Sequence, residues 1–284
     1  MLKLKHVDRR SGLTPESFAR EYLNKRKPVI FTDLMDAWPA KTKWTIDYFK
    51  KDHGDLQVPV YSANYSKPGK GYMTPDNVIP FREYLQMIEK GPADYRMFLF
   101  NLFRHAPELC SDFETPKIMD GFINSFPYMF FGGMGSTVAL HFDIDLSHIF
   151  LNQFHGRKRV VMFPPEQSTN IYHHPFTVAS YIDVNNPDYD KHPALKNAWG
   201  YDCTVNHGET LFMPSGHWHY IEYLDCGFSV SQRANESYVR RARGLFNIAR
   251  HFMVDKSMNK IMGDNWRKMK ADIARKRAKE NILV

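Results

Sequence analysis

Between Pro127 and Arg233 the sequence falls into short aromatic and β-branched runs, each ended by a glycine or proline turn. No other feature constrains the fold as much. Runs of this kind form strands, and several at close spacing build a sandwich or barrel. We draw eight, at 127–131, 137–144, 147–154, 157–163, 201–205, 209–213, 217–224 and 227–233. A long polar stretch from Ser168 to Gly200 interrupts them, and a loop of that length is expected to be functional or a lid. The 284 residues are 43% hydrophobic and 14% aromatic, which is enough for a sizeable core and excludes global disorder.

Before the strands, Thr14-Pro15-Glu16-Ser17 reads as a helix start, with Thr14 as N-cap and Pro15 at the first helical position. Strands are expected at Lys27–Phe31 and Val58–Ser62, and a strand-like run from Tyr95 to Asn101. Helices are expected from Thr45 through Phe49, at Pro80–Lys90 and at Pro116–Asn124, and a loop from Asn64 to Asn77. After Arg233 the period turns helical. Tyr238, Ala242, Leu245, Ala249 and Phe252 form one stripe; Met258, Met262, Trp266, Met269 and Ile273 form a second. The expectation is one barrel domain, residues 1–234, with a helical appendage, 235–284, that packs on it or joins two copies into a homodimer.

Charge and cysteine narrow the function classes. The net charge is +7, from 38 basic and 31 acidic residues, and much of the excess lies between Arg267 and Lys279. Such a run could bind nucleic acid, but with no stacking aromatic beyond Trp266 it reads more simply as a solvated helix face. Three widely spaced cysteines, without a CxxC, argue against a disulfide framework or a thiolate zinc site and suit a reducing cytoplasm. The N-terminus lacks the apolar core of a signal peptide, and no run reaches the roughly 20 apolar residues of a membrane span.

His141-Phe142-Asp143 places an imidazole and a carboxylate two residues apart, on one face of a strand. Pro214-Ser215-Gly216-His217-Trp218-His219 can supply a second imidazole from a later strand. Two histidines and one carboxylate on one side of a metal describe the site of non-haem Fe(II) oxygenases, which leaves positions open for a co-substrate and dioxygen. The pleat alone leaves two choices open: Asp145 against Asp143, and His217 against His219. Lys158 shares a face with Val160 and Met162, so an inward Lys158 needs an anion, which a dicarboxylate co-substrate would provide. Ser229, Ser231 and Arg233 share a face of the last strand, where Arg233 is a candidate second anion partner.

In this order the pieces resemble the JmjC/cupin-like Fe(II)- and 2-oxoglutarate-dependent oxygenases, particularly their asparaginyl-hydroxylase-like branch. The matching motifs are Lys27-Pro28-Val29-Ile30, Trp38-Pro39-Ala40 and Trp44-Thr45, His141-Phe142-Asp143, Gln153-Phe154-His155-Gly156-Arg157-Lys158, Phe163-Pro164-Pro165, Gly208 to Pro214 and Trp218-His219. The resemblance implies a double-stranded β-helix, a jelly-roll barrel with helices outside. It implies Fe(II) on His141, Asp143 and His219, with Lys158 gripping the far carboxylate of 2-oxoglutarate. Thr137, Ser231 and Arg233 are then the further candidates for co-substrate contact, and a protein side chain or small molecule the expected substrate. The chain departs from the pattern at Val138, where a Thr is common, at Ser231 for an Asn, and at Arg233 for an aromatic. Two alternatives remain: a non-catalytic metal-binding module, and a nucleic-acid-associated protein using the basic C-terminus.

Overall fold

The computed structural model describes residues 1–62, 74–98, 100–124 and 127–282. In chain order its strands and α-helices are β1 (Lys3–His6), β2 (Asp8–Arg10), α1 (Pro15–Phe18), β3 (Val29–Phe31), α2 (Ala40–Lys43), α3 (Ile46–Asp52), β4 (Gln57–Val60), β5 (Asn77–Pro80), α4 (Phe81–Glu89), β6 (Arg96–Met97) and α5 (Leu102–His105). There follow β7 (Tyr128–Gly132), β8 (Thr137–His141), β9 (His148–His155), β10 (Lys158–Phe163), β11 (Trp199–Val205), β12 (Thr210–Met213), β13 (Trp218–Tyr223), β14 (Gly227–Ala234), α6 (Tyr238–Arg250), α7 (Ser257–Met262) and α8 (Asp264–Ile282). Most of the loop expected from Asn64 to Asn77 lies outside the described residues; Asn77 itself opens β5.

The main strands form two sheets, ordered β1-β11-β10-β13-β8 and β2-β3-β12-β9-β14-β7-β6. This is the jelly-roll architecture that the family resemblance implied, and it fits the sandwich or barrel expected from the strand pattern. Ile149, Leu151, Leu211 and Met213 from the larger sheet meet Val160, Met162, Cys203 and Val205 from the smaller in one cluster, the barrel interior. Alternate residues face out and are buried again. Val161, Phe163, Trp218 and Tyr220 pack under Ile171, Ile182, Val184 and Leu195 of the Ser168–Gly200 stretch. Outside the larger sheet, Phe131, Phe228 and Val230 pack under Trp44, Phe49 and Phe81 of the N-terminal helices. Strands covered on both faces read as continuous apolar runs rather than alternating ones, as Val160-Val161-Met162-Phe163 does.

Several sequence expectations need correction. Pro116–Asn124 forms no helix: the chain runs beside the end of β14, with Ile123 N donating to Arg233 O and Asn235 N to Gly121 O. Gly121 has φ +84°, and a Cβ there would meet the Asn235 carbonyl oxygen at 2.1 Å. Among the described residues of Tyr95–Asn101, only the two of β6 are strand. The Ser168–Gly200 stretch is a packed layer, not an open lid; its core also takes Ala274 and Ala278 of α8. The buried stripe of α8 is Trp266, Lys270, Ala274 and Ala278, while Met262 and Met269 are exposed. On α6, Ala242, Leu245 and Ala249 face solvent, and Gly244 is the buried position among the described residues; the side chains of Tyr238 and Phe252 lie outside them. No helix among the described residues is long and apolar enough to cross a membrane, and all three cysteines are free.

Candidate metal centre

The site is assembled from the end of β8, the start of β13 and one face of β14. β8 ends at His141, and the chain continues extended, with Phe142 N donating to Val178 O at 3.1 Å. The sequence reading carries this strand on to Ile144. Instead residues 143–146 turn, Leu146 N donating to Asp143 O at 3.0 Å with Leu146 at φ +53°. The pleat therefore does not extend to Asp145. His219, on β13, lies directly opposite His141 on β8, with ring centroids 4.2 Å apart. His141, Asp143 and His219 each offer a ligand atom within 4.8 Å of the others. Asp145 and His217, the alternatives that the pleat left open, are not in this cluster.

The donor chemistry fits a divalent metal. Nδ1 of His141 lies 2.8 Å from Ala139 O, and Nδ1 of His219 lies 3.2 Å from His217 O. A carbonyl only accepts, so each Nδ1 carries the proton and each Nε2 keeps a lone pair for a metal. Burial, and then the charge of His141, pushes the His219 imidazole down to about 4, which keeps it neutral and ligand-competent at physiological pH. Burial raises the Asp143 carboxyl. The Arg233 guanidinium and the two imidazoles outweigh that effect and hold it well below the usual carboxylate range. Two imidazoles and one carboxylate are the donor set of the Fe(II) facial triad.

Arg233 makes the closest charge contacts of the site. Its Nη2 donates to Asp143 Oδ1 at 3.0 Å and its Nη1 to Asp145 Oδ1 at 2.7 Å. The sequence reading offered Arg233 as a second anion partner for the co-substrate; in the structure both arms of its fork already hold protein carboxylates.

Lys158 occupies the other end. It is 1% exposed; its Nζ donates to Ser229 Oγ at 2.5 Å and sits 4.2 Å from the Tyr223 ring centroid. Among the described residues no carboxylate pairs with it, and burial drives its ammonium well below the ordinary lysine value. The register confirms that it points inward: Lys158 pairs with Tyr223 and Met162 with His219, so all four share the interior face. Ser231 is buried on the same interior, opposite Leu151.

Thr137 is not brought to the site. It pairs with Glu222, one residue out of phase with Ile221 and Tyr223, and so takes the outer face; Val138, paired with Ile221, takes the inner one. Its carbonyl accepts from buried Arg96. Sequence reasoning did not single out Ser229 or Tyr223 as partners of Lys158. The alternation of β14 carried the signal for Ser229; nothing local marked Tyr223.

Comparison with known proteins agrees with the fold. The model of the cupin-like domain family matches residues 15–237. Lysine-specific demethylase JMJ30 of Arabidopsis thaliana is 30% identical over 244 residues, 81% of this chain and 55% of that protein. Lysine-specific demethylase 8 of Danio rerio is 31% identical over 228 residues, 76% of this chain and again 55% of the relative. tRNA wybutosine-synthesizing protein 5 of Gallus gallus is 26% identical over 241 residues, 78% of this chain and 74% of that protein. The chain thus spans about half the length of the two demethylases it matches. With its jelly roll, its His-Asp-His cluster and a family match over most of its length, the chain belongs to the cupin-like JmjC family of Fe(II)- and 2-oxoglutarate-dependent oxygenases.

Proposed function

We propose that this chain is an Fe(II)- and 2-oxoglutarate-dependent oxygenase that hydroxylates a protein side chain. The observation that carries the proposal is the buried Lys158, which no carboxylate pairs with among the described residues, on the interior face it shares with His219. An unpaired ammonium in a barrel interior is costly unless an anion arrives. Lys158 pairs with Tyr223, four residues along β13 from His219, roughly 13 Å at strand rise. A lysine side chain and a five-carbon dicarboxylate can span that gap together. β14 links the two poles, since Ser229 contacts Lys158, Arg233 contacts Asp143, and Ser231 lies between them on the same face.

His141, Asp143 and His219 would hold the metal, and Lys158 and Ser229 would bind the far carboxylate of the keto acid, with Ser231 along its length. Bound Fe(II) supplies the oxidative chemistry, in which 2-oxoglutarate and dioxygen give succinate and carbon dioxide while a substrate C–H becomes C–OH. The protein orients the co-substrate, and the apolar interior behind it excludes water. The same C–H oxidation on an N-methyl group would give demethylation, the activity named for two of the relatives.

Succinate formation from 2-oxoglutarate with Fe(II) under air tests the assignment. Wild type should turn over, and His141→Ala and Asp143→Ala should not; equal turnover in either variant would sink the metal assignment. No turnover by wild type under any substrate pool would favour a binding module. We further propose that α6 pairs with a second copy, because Leu245 and Phe246 stand 64% and 68% exposed on it. Light scattering of wild type against Leu245→Glu/Phe246→Glu checks this: wild type should be a dimer and the variant a monomer.

A further inference from the structure

We propose that Arg233 is a positioning residue that divides two carboxylates, presenting Asp143 to the metal through one oxygen and withholding Asp145 from it. The inference rests on the metal site proposed above. Asp143 and Asp145 lie within one tight turn, and the same guanidinium fork reaches both. Asp145 is held at both oxygens: Oδ1 accepts from Arg233 at 2.7 Å and Oδ2 from Ser147 Oγ at 2.8 Å. For Asp143, Arg233 holds only Oδ1, and no described residue donates to Oδ2.

α6 fixes the turn from behind. Asn247 Nδ2 donates to Ile144 O at 2.9 Å. Gly244 packs so closely that a Cβ there would meet the Asp145 carbonyl oxygen at 2.1 Å. The turn cannot back away from the cluster, so something must keep the second carboxylate off the metal. A carboxylate that swings in, or a bidentate Asp143, would fill a position that a chelating co-substrate needs. A planar fork with a permanent charge can hold two carboxylates apart, whereas a lysine point charge can only sit between them.

Co(II) in place of Fe(II) gives a redox-silent probe. Calorimetry measures Co(II) affinity and then 2-oxoglutarate affinity of the Co(II)-loaded protein; visible absorption of the cobalt reports its coordination number. In Arg233→Met, Co(II) should bind as tightly as in wild type or more tightly, its spectrum should change, and 2-oxoglutarate affinity should fall by about tenfold or more. Adding Asp145→Asn to that variant should restore 2-oxoglutarate affinity to within about threefold of wild type. If the double variant stays as weak as the single one, Arg233 contacts the co-substrate itself and the proposal is wrong. An unchanged spectrum and unchanged 2-oxoglutarate affinity in Arg233→Met overturn it too. If Arg233→Met does not fold, Arg233→Lys with and without Asp145→Asn makes the same comparison. Should wild type fail to bind one Co(II), or His141→Ala bind it equally well, the metal reading itself fails, an outcome distinct from any of these.

Discussion

Two lysines are buried among the described residues, and they are buried in opposite ways. Lys270, on α8, is 4% exposed, and its Nζ donates to Asp255 Oδ1 at 2.5 Å. Trp266 Nε1 donates to that same oxygen at 2.8 Å, and Asn259 Nδ2 to the other at 3.1 Å. Its charge is answered within the fold, and the cluster clasps α8 to the helical turn before α7. Lys158, 1% exposed, has a hydroxyl and an aromatic face but no carboxylate among the described residues. A paired buried charge is architecture. An unpaired one leaves the fold with a demand that a ligand can meet.

The largest effects separate the two lysines, one on stability and the other on affinity. Lys270→Met strands Asp255 and should destabilise the protein by about 3 kcal/mol, with 2-oxoglutarate affinity unchanged; denaturant melts and calorimetry measure the two. Lys158→Met should do the reverse. We expect 2-oxoglutarate affinity to fall by about 2–5 kcal/mol, with the melting temperature of the ligand-free protein equal or higher, since an unanswered charge is gone. If Lys158→Met melts early and still binds 2-oxoglutarate, the contrast between the lysines is wrong.

Ser229→Ala removes the hydroxyl that accepts from Lys158; it should weaken 2-oxoglutarate binding by about 1 kcal/mol and leave Co(II) affinity alone. The smallest signal is in pH. Burial lowers the Lys158 pKa in the folded state, so between that value and the ordinary lysine pKa of 10.5 the unfolded chain binds more protons. Stability of the ligand-free wild type should therefore gain relative to Lys158→Met as pH rises across that window, a difference that saturating 2-oxoglutarate should shrink. A constant difference between the two proteins at all pH values would show that Lys158 titrates normally.

What could be read in the sequence was what obeys a local period. The faces of His141, of Lys158 with Val160 and Met162, and of Ser229, Ser231 and Arg233 follow from alternation along single strands, and the structure turns all of them inward; the choice of His219 over His217 came from the family resemblance. Thr137 fails because of a bulge: β8 uses three steps from His141 to Val138 where β13 uses two from His219 to Ile221. One extra residue reverses which side chain points in, and nothing in Thr137-Val138-Ala139-Leu140 announces it. The Arg233 fork was out of reach for another reason, because its partners are 88 and 90 residues away and meet it only in the folded barrel. β1 and β2 were missed because edge strands such as Lys3-Leu4-Lys5-His6 carry charge where a core strand carries apolar residues. On α8 the buried stripe holds Lys270 and two alanines, which a search for large apolar residues passes over.

β14 touches both poles of the site, and on the proposed function this would tie activity to folding in a particular way. Side chains on a strand alternate, so a slip of one residue would turn Ser229, Ser231 and Arg233 away from the interior together. A chain with this strand missing or misregistered would lack the guanidinium at one pole and the hydroxyl at the other, and it would have no half-competent form. Oxygen activation is hazardous when it runs without a substrate to receive it. Here the ability to begin it would arrive only when β14 has seated, so the register of one strand would act as the licence for the proposed chemistry.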